Sequence, residues 1–507
     1  MAARPDWTEA LLGRAGVRFR MNDFPGAIAD CDRSIALNPL FPTSYAIRST
    51  CRRAVGDIAG AVADVEYALK LQPDLAEGFD ALGDVDRAKG DPDGAIAAYS
   101  RAIELDPKEE SYFLARAAAK HKKRDLHGAI SDYDRAIELE PGDVSAYSSQ
   151  GSMKMELGDA KGALVDFDKV VLLKPNWIEA LLYRAEIRAA LKDFKGAIGD
   201  CDRSIALKPG YPMSYAYRSS YRFKIAEFNG AIADAEHALK LQPDLVQALG
   251  SLGDAKRAEG DVNGAILAYN QAIALEPKSS QLLLARASTM YAKSDMNGAI
   301  VDAGSVVNLE SGPGHEPRFL LQAHLLRSEA RLTLPDLAGA ISDADRVVDL
   351  SPGLFLGYRA RGIAEYAQGA FGAALVDCDK AIELQKGHAE YLHFLRCLAL
   401  SRLERNDSSA TLTKVVPGWE EGWPKTVGRF LIGELDEAGL LAEAQKGDAK
   451  SVLEHSCEAY FYVGSVHLAK HDPAFARVCF ERCVATNRTD FIEFQLARCE
   501  ISIFGQR

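Results

Sequence analysis

Arginines and aspartates recur at a fixed spacing in this chain, and side chains of these types can pair with each other or take part in catalysis. An arginine recurs eight times, and an aspartate follows sixteen residues after each. The pairs are Arg14–Asp30, Arg48–Asp64, Arg116–Asp132, Arg184–Asp200, Arg218–Asp234, Arg286–Asp302, Arg327–Asp343 and Arg361–Asp377. Where Leu82 and Leu252 replace the arginine, Ala98 and Ala268 replace the aspartate. A guanidinium opposite a carboxylate suits a partly buried bidentate pair. We therefore predict that these pairs bridge two helices and are not catalytic.

The cysteines and histidines near the C-terminus could in principle bind a metal. Cys479 and Cys483 lie one helical turn apart, with His467, His471 and Cys499 nearby in the sequence. A structural zinc site usually combines two close pairs of ligands. The nine cysteines include no Cys-x-x-Cys, and several stand where a helix buries small apolar side chains. Such usage is typical of free cysteines in a reducing compartment, and we expect no metal.

Motifs that would indicate an enzyme or a nucleic-acid-binding protein are missing. The sequence has no phosphate-binding glycine loop, no His-Glu-x-x-His helix and no Gly-x-Ser-x-Gly elbow. The densest basic run, residues 120–124, has no neighbouring basic stretch or stacking aromatics. It is better explained as the end of a helix, where cations meet the helix dipole favourably. We expect no catalytic activity, no cofactor and no nucleic acid.

The elements that must position these residues repeat every 34 residues. A signature similar to Gly-Ala followed by an apolar residue marks each repeat, and Gly-Asp pairs such as Gly56–Asp57 and Gly90–Asp91 precede some of these signatures. Its alanines are Ala27, Ala61, Ala95, Ala129, Ala163, Ala197, Ala231, Ala265, Ala299, Ala340 and Ala374. A proline follows most of them by twelve residues, which ends a helix. The apolar spacing between these signals is that of amphipathic helices.

One repeat shows the pattern most fully, with Phe79, Leu82 and Gly83 in a first helix and Ala95, Tyr99 and Ala102 in a second, before Pro107. It resembles the tetratricopeptide repeat, a helix hairpin of 34 residues. The resemblance implies an all-α fold, an α-solenoid of TPR helix hairpins that forms a right-handed superhelix. It also implies a non-enzymatic scaffold that binds protein partners.

A longer repeat lies on top of the short one. Residues 26–39 and 196–209 match at 12 of 14 positions, and residues 68–75 and 238–245 are identical. Because these segments are 170 residues apart, which is five repeats, we infer that a five-repeat block was duplicated, as 8–177 and 178–347. We predict a solenoid of about twelve repeats over 5–403. Residues 404–456 would form a linker and an irregular helical segment, and 457–507 a terminal hairpin with a capping helix.

Two segments depart from the period. The spacing between Ala299 and Ala340 is seven residues too long, and residues 309–317 form a Gly- and Pro-rich insertion. It is either a tolerated surface loop or a partner-binding or hinge segment. Near the C-terminus, Trp423–Pro424, Tyr462, Gly464 and the run 490–493 resemble bacterial NlpI-like repeat proteins. That resemblance implies an adaptor of the cell envelope, although the lipid-anchored cysteine of such proteins has no counterpart here.

Proteins of the tetratricopeptide type usually bind partners on exposed positions of the first helix of each repeat. By that resemblance, the candidate partner-binding residues are Arg53, Arg87, His121, Lys122, Phe223, Lys224, Arg257, Tyr291, Arg359 and Tyr366. The same positions in other repeats are Asp80, Asp84, Ser152, Glu186, Asp254 and Glu329. The asparagines of the carboxylate clamp found in some relatives are missing, so we do not expect that clamp.

Composition fits this interpretation. The chain has 507 residues with 48% hydrophobic and 26% charged residues and a net charge of −12. An acidic chain repels phosphate backbones and anionic membranes. The first fifteen residues read as the start of a packed helix rather than a signal peptide, and no stretch is long enough to span a bilayer. We therefore expect a cytoplasmic protein with a protein or peptide partner and possible self-association. A trimmed native N-terminus would instead favour the periplasm or envelope.

Overall fold

The computed structural model describes residues 7–312, 317–385, 387–405, 408–489 and 491–504. The chain divides into two compact units, residues 1–226 and 227–507. The described residues form α-helices, one short 3-10 helix and no strand, which confirms the prediction of an all-α fold of paired helices. The middle of the insertion, residues 313–316, lies outside the described residues, as do Asn406, Asp407 and Asp490.

The first unit contains thirteen helices within its described part. They are α1 (Thr8–Arg20), α2 (Phe24–Leu37), α3 (Pro42–Ala54), α4 (Ile58–Leu71), α5 (Ala76–Lys89), α6 (Pro92–Leu105), α7 (Glu110–Lys122), α8 (Leu126–Leu139), α9 (Val144–Glu156), α10 (Ala160–Leu173), α11 (Ile178–Ala190), α12 (Phe194–Leu207) and α13 (Pro212–Lys224). From α1 to α12, each odd-numbered helix packs along the even-numbered helix that follows it.

The turn inside most of the hairpins is specified by an aspartate and a glycine. The N-cap aspartate of the second helix accepts a hydrogen bond from the backbone N–H of the glycine three residues later, as in Asp57 with Gly60 at 2.9 Å. This satisfies one of the unpaired donors at the helix start. The residue before the cap has a left-handed conformation, with φ of 84° at Gly56 and 81° at Gly90. These values confirm that the Gly-Asp pairs end the first helix.

Small residues let the two helices of a hairpin approach closely. Ala95 is fully buried in α6, and a Cβ atom on Gly83 of α5 would lie only 2.6 Å from the ring of Tyr99. Tyr99 is itself fully buried. The fixed order of small and aromatic residues in the sequence is therefore a packing requirement of the hairpin.

The second unit begins with the same kind of hairpins and ends irregularly. Its helices are α14 (Phe228–Leu241), α15 (Val246–Glu259), α16 (Val262–Leu275), α17 (Ser280–Ala292), α18 (Met296–Glu310), α19 (Pro317–Thr333), α20 (Leu337–Leu350), α21 (Phe355–Gln368), α22 (Phe371–Leu384), α23 (Glu390–Arg402), α24 (Ala410–Val415), α25 (Trp423–Leu431), α26 (Glu437–Ala444), α27 (Ala449–Ala469), α28 (Pro473–Ala485) and α29 (Ile492–Phe504). A 3-10 turn at Val416–Gly418 follows α24. None of the described helices is long and apolar enough to cross a membrane.

The C-terminal part of the second unit folds back on earlier helices of that unit. Helix α29 packs against α27 and α28 and also against α21. The Arg498 guanidinium donates to the carbonyl of Thr333 at the end of α19 (3.3 Å), and the Thr489 and Ser294 hydroxyls lie 3.2 Å apart. The boundary expected at residue 457 falls inside α27, because Asp448 caps that helix by accepting from the Ser451 N–H at 2.7 Å.

Candidate partner-binding surfaces

The repeated arginine–aspartate pairs bridge the two helices of the hairpins that contain them, as the sequence predicts. In the second hairpin, Arg48 Nε and Nη2 donate to the two carboxylate oxygens of Asp64 at 2.8 and 2.6 Å. The same bidentate bond joins Arg14–Asp30, Arg116–Asp132, Arg184–Asp200, Arg286–Asp302 and Arg361–Asp377. Arg327 also donates to both oxygens of Asp343. The prediction is confirmed for these seven pairs, each of which lies within one unit.

Most of these aspartates have a second cation that the sequence analysis missed. It stands twelve residues before the aspartate, one helical turn after the arginine, and Arg52 Nη1 reaches Asp64 Oδ2 at 2.8 Å. Equivalent contacts are Arg18–Asp30, Lys120–Asp132, Arg188–Asp200 and Arg331–Asp343. Lys154 contacts Asp166 in the same way, in a hairpin that has Gln150 in place of the arginine. A search for cations at that spacing would have found them. Because the buried aspartate holds these cations within the hairpin, we do not count them among the candidate partner-binding residues.

The hairpin of α21 with α22 has no cation at this second position. Glu365 occupies the position of the second cation beside Asp377. Burial, and to a smaller extent the Asp377 charge, raises the pKa of Glu365 to about 7. Its Oε2 atom is buried and has no hydrogen-bond partner among the described residues.

Two of the predicted partner-binding residues meet on the first-helix face of the first unit. Arg53 of α3 contacts the Asp84 carboxylate at 2.9 Å, and Arg87 of α5 contacts it at 3.0 Å. The Tyr99 hydroxyl donates to the same carboxylate at 2.8 Å, so Asp84 is fixed between the arginines. Burial, then the charge of Asp84, raises the pKa of neighbouring Asp80 to about 7. We call Arg53, Asp80, Asp84 and Arg87 the charged cluster.

The other predicted residues of the first unit lie at the ends of first helices. His121 Nε2 is 3.1 Å from Glu156 Oε1, which joins the ends of α7 and α9, and Lys122 beside it is exposed. At the end of α13, the Lys224 ammonium lies 5.5 Å from the centroid of the Phe223 ring. The structure therefore does not bring these residues into the charged cluster.

The predicted residues of the second unit have different surroundings. Arg257 lies 3.8 Å from Asp254 within α15, and Tyr291 packs beside Met296 and Ala299. Tyr366 is only 2% exposed, so our expectation of an exposed side chain is wrong. The reason is that the C-terminal helices cover this side of α21, and Tyr366 packs against Phe371 with ring centroids 5.2 Å apart.

Arg359, the remaining predicted residue, lines a cavity of about 570 Å³ in the second unit. The walls come from α21, α23, α25, α27, α29 and the chain before α23. We call this the C-terminal cavity. The exposed His388 and the half-exposed Tyr391 lie on its lining, and the buried Phe461 and Tyr462 lie deeper. The repeat pattern gives no sign of this cavity, because it forms where the pattern fades.

Two buried carboxylates face the C-terminal cavity. Glu458 accepts hydrogen bonds from Trp423 Nε1 at 3.0 Å and from the Tyr391 hydroxyl at 3.4 Å. Glu493 accepts one from the Tyr462 hydroxyl at 2.9 Å. Burial raises the pKa of Glu458 well above its ordinary value, and burial also raises the pKa of Glu493. Buried carboxylates held in this way are typical of ligand sites.

The cysteines and histidines of the C-terminal part pack separately. Cys483 Sγ faces Cys457 Sγ at 3.5 Å, whereas His467 contacts Glu437 at 3.0 Å. All nine cysteines are buried and free. Within the described ranges, no group of three or more His, Cys, Asp or Glu side chains is placed to hold a metal ion.

Comparison with known proteins supports the repeat type. A model described as TPR repeat matches residues 83–124, and one described as tetratricopeptide repeat matches residues 220–281. Among solved structures, a tetratricopeptide repeat protein from Parabacteroides merdae is 16% identical and aligns over 50% of this chain and 98% of its own, with a TM-score of 0.42.

Two further structures are similar to this chain. The C-terminal part of a TPR repeat-containing protein from Cytophaga hutchinsonii is 22% identical over 48% of this chain and 99% of its own, with a TM-score of 0.41. Yeast Tom70 is 16% identical over 81% of this chain and 99% of its own, with a TM-score of 0.37. Together with the helix hairpins described above, the family matches identify tetratricopeptide repeats in this chain at residues 83–124 and 220–281.

Proposed function

We propose that this protein is a non-enzymatic scaffold that binds a protein partner on the first-helix face of its first unit. The observation that carries the proposal is the charged cluster, in which Tyr99 fixes Asp84 and thereby orients Arg53 and Arg87. Side chains that are fixed before binding lose little entropy when a partner binds. Arg87 keeps 42% of its side-chain surface exposed and can donate to a partner's carboxylate or carbonyl groups.

The difference between the two units supports this location. In the second unit, helix α29 of the same chain packs against α21, and Tyr366 is buried as a result. In the first unit, the charges inside the hairpins pair with one another, whereas Arg87 and Lys122 on the first helices remain exposed. Arginine is enriched where binding energy is concentrated in protein interfaces.

Crosslinking combined with affinity capture from the native host tests the proposal. The wild-type chain is compared with the Arg53→Glu/Arg87→Glu double variant and with Arg101→Glu/Arg135→Glu as a control. Arg101 and Arg135 are exposed on the second helices α6 and α8, where each pairs with a glutamate three residues later. We expect the first-helix variant to lose a partner that the control retains. Equal recovery by all three proteins would contradict the proposal, and recovery of only this chain would indicate self-association.

Within this function, the cellular location is a second proposal. We place the scaffold in the cytoplasm on the basis of its free, buried cysteines. The alternative is an envelope adaptor of the NlpI type, which rests on the resemblance around Trp423, Tyr462 and Gly464. Fractionation of the native host, with detection of the endogenous protein, decides between them. Recovery with the envelope would overturn the cytoplasmic proposal and favour the alternative.

A further inference from the structure

The C-terminal cavity is large enough for a small organic molecule or a terminal residue of a peptide. Its volume of about 570 Å³ lies in the range of pockets that bind such ligands. Most of its wall is apolar, with Leu392, Leu395, Phe461 and Leu496 among the lining residues. A ligand that fills it therefore needs an apolar body.

The charges around the cavity are unbalanced. Glu454 at its edge has a partner in Arg488 at 2.9 Å. Of the two buried carboxylates, Glu493 is stabilised by the charge of Arg359. The hydrogen-bond donors to Glu458, Trp423 and Tyr391, are neutral. Because burial raises the pKa of Glu458 well above its ordinary value, a positive charge on a ligand beside it would favour the charged form of the carboxylate.

The aromatic residues beside Glu458 hold this carboxylate in place. Trp423 stacks on His455 with ring centroids 4.2 Å apart and an angle of 13°, and Tyr391 packs edge-on against Phe394. Both Trp423 and Tyr391 line the cavity and donate to Glu458, so their rings are fixed in place. The Trp423 N–H and the Tyr391 hydroxyl direct the edges of the two rings at Glu458, so the carboxylate is held in a fixed position beside the cavity.

We propose that the C-terminal cavity binds an organic ammonium group carried on an aromatic or aliphatic body, with Glu458 as the counter-charge. The apolar body lies against the leucines and Phe461, and the ammonium group lies beside Glu458. The ligand is either a free amine or the N-terminal residue of a peptide, since both present the same chemistry. This site is separate from the charged cluster, so the inference does not depend on the proposed function.

Isothermal titration calorimetry on the full chain tests the charge requirement with two matched probes. Phenethylamine carries the ammonium group, and 2-phenylethanol has nearly the same shape without a charge. We expect phenethylamine to bind at least about tenfold more tightly at pH 8, which corresponds to about 1.4 kcal/mol. Equal binding of the two probes, or binding of neither, would overturn the proposal.

Three variants distinguish a ligand charge from a purely structural role. Glu458→Gln keeps the shape of the side chain and removes its charge, so the preference for phenethylamine should disappear. Arg359→Gln removes the cation that faces the same cavity, so phenethylamine should bind more tightly, by about threefold or more. Glu437→Gln changes a carboxylate that contacts His467 outside the cavity lining and should leave the preference unchanged. A loss of binding in both cavity variants would contradict the proposed charge role.

A peptide pair identifies the source of the amine. The tripeptide amide Phe-Gly-Gly with a free N-terminus is compared with its N-acetylated form. If only the free peptide binds, and more tightly than phenethylamine, the cavity recognises a polypeptide N-terminus. If phenethylamine binds and neither peptide does, the cavity recognises a free amine. Binding of the acetylated peptide with equal affinity would overturn the requirement for a cation.

Discussion

The repeated hairpins and the C-terminal part of the second unit pack their helices with different side chains. In the hairpins, alanine and glycine allow close approach, and an arginine–aspartate bridge holds the two helices together. In the C-terminal part, the buried core also contains several aromatic rings, including Phe394, Phe461 and Phe480. Of the buried carboxylates there, Glu458 and Glu493 accept hydrogen bonds from tyrosine and tryptophan, whereas Glu500 accepts one from Arg402.

This difference indicates where each part of the molecule can bind something. A hairpin that pairs its own charges leaves no interior site, so a partner must bind at the surface of the hairpin. The C-terminal part leaves a cavity with a carboxylate whose donors are neutral. Irregular segments are expected to carry function, because a site usually breaks the rules that stabilise the surrounding fold.

The largest effect should come from removing a core ring of the C-terminal part. Phe394 is fully buried, with its ring centroid 5.4 to 5.6 Å from those of Tyr391, Trp419 and Tyr462. Phe394→Ala should lower the free energy of unfolding of this region by about 3–5 kcal/mol. Urea unfolding followed by the fluorescence of Trp419 and Trp423 measures it.

A phenylalanine at the surface of the same part provides the control. Phe475 is 40% exposed, so Phe475→Ala should cost less than about 1 kcal/mol. Similar costs for the two variants would mean that the aromatic core is not what stabilises this part.

The next largest effect should come from breaking a bridge that has no second cation. Arg361→Met leaves Asp377 buried with only Glu365 in the second position, and we expect a cost of about 3 kcal/mol. Arg116→Met should cost about 1–2 kcal/mol, because Lys120 still contacts Asp132 at 2.8 Å. Hydrogen exchange of the amides in α22 and α8 measures each hairpin. Equal loss of protection would show that the second cation does not matter.

A smaller effect should follow from the pH dependence of Glu365. Its pKa is raised from 4.5 to about 7, so the folded protein binds more protons than the unfolded chain between those pH values. Stability should therefore fall as the pH rises from about 4.5 to about 7, by about 1–3 kcal/mol in total.

Two substitutions test whether Glu365 causes that loss. Glu365→Gln should remove it, and Glu365→Arg should stabilise the hairpin above pH 7 by restoring the second cation. Glu383→Gln, in the same hairpin but exposed, is the control and should keep the wild-type pH dependence. A wild-type profile in Glu365→Gln would assign the loss to another group.

The smallest effect on stability is expected at the charged cluster. Arg87→Ala removes a half-exposed partner of Asp84 and should change the free energy of unfolding by only about 0.5 kcal/mol. The same substitution should raise the pKa of Asp80 further, because the charge of Arg87 lowers it in the wild-type protein. NMR titration of the Asp80 carboxyl carbon measures this change. An unchanged pKa would mean that Arg87 does not act on Asp80.

Much of the fold could be predicted because the same packing constraints act on every repeat and leave the same pattern in the sequence. The 34-residue period, the turn glycines and the paired loss at Leu82 and Ala98 identify the hairpins and their bridges. The sequence pattern could not show that α29 packs against α21, because a 34-residue period predicts contacts between neighbouring helices and not between helices far apart in the sequence. For that reason Tyr366 was expected to be exposed, and the C-terminal cavity was not expected at all.

The candidate site could be predicted only in part. Arg53 and Arg87 follow from their positions on the first helices, but their common contact with Asp84 depends on Tyr99 from the second helix of the hairpin. The carboxylate Glu458 lies in a stretch where the repeat pattern is weak, and its donors come from α23 and α25. Three-dimensional packing, rather than spacing along the chain, brings these groups together.

Site-specific photo-crosslinking in the native host tests the central claim most directly. A photoreactive amino acid is placed at position 87 on the first helix α5 or, as the control, at position 101 on the second helix α6 of the same hairpin. Both side chains are exposed in the wild-type protein. If the first-helix face of the first unit binds the partner, adducts with another protein form at position 87 and not at position 101. Adducts at position 101 alone, or equal adducts at both positions, would contradict the account.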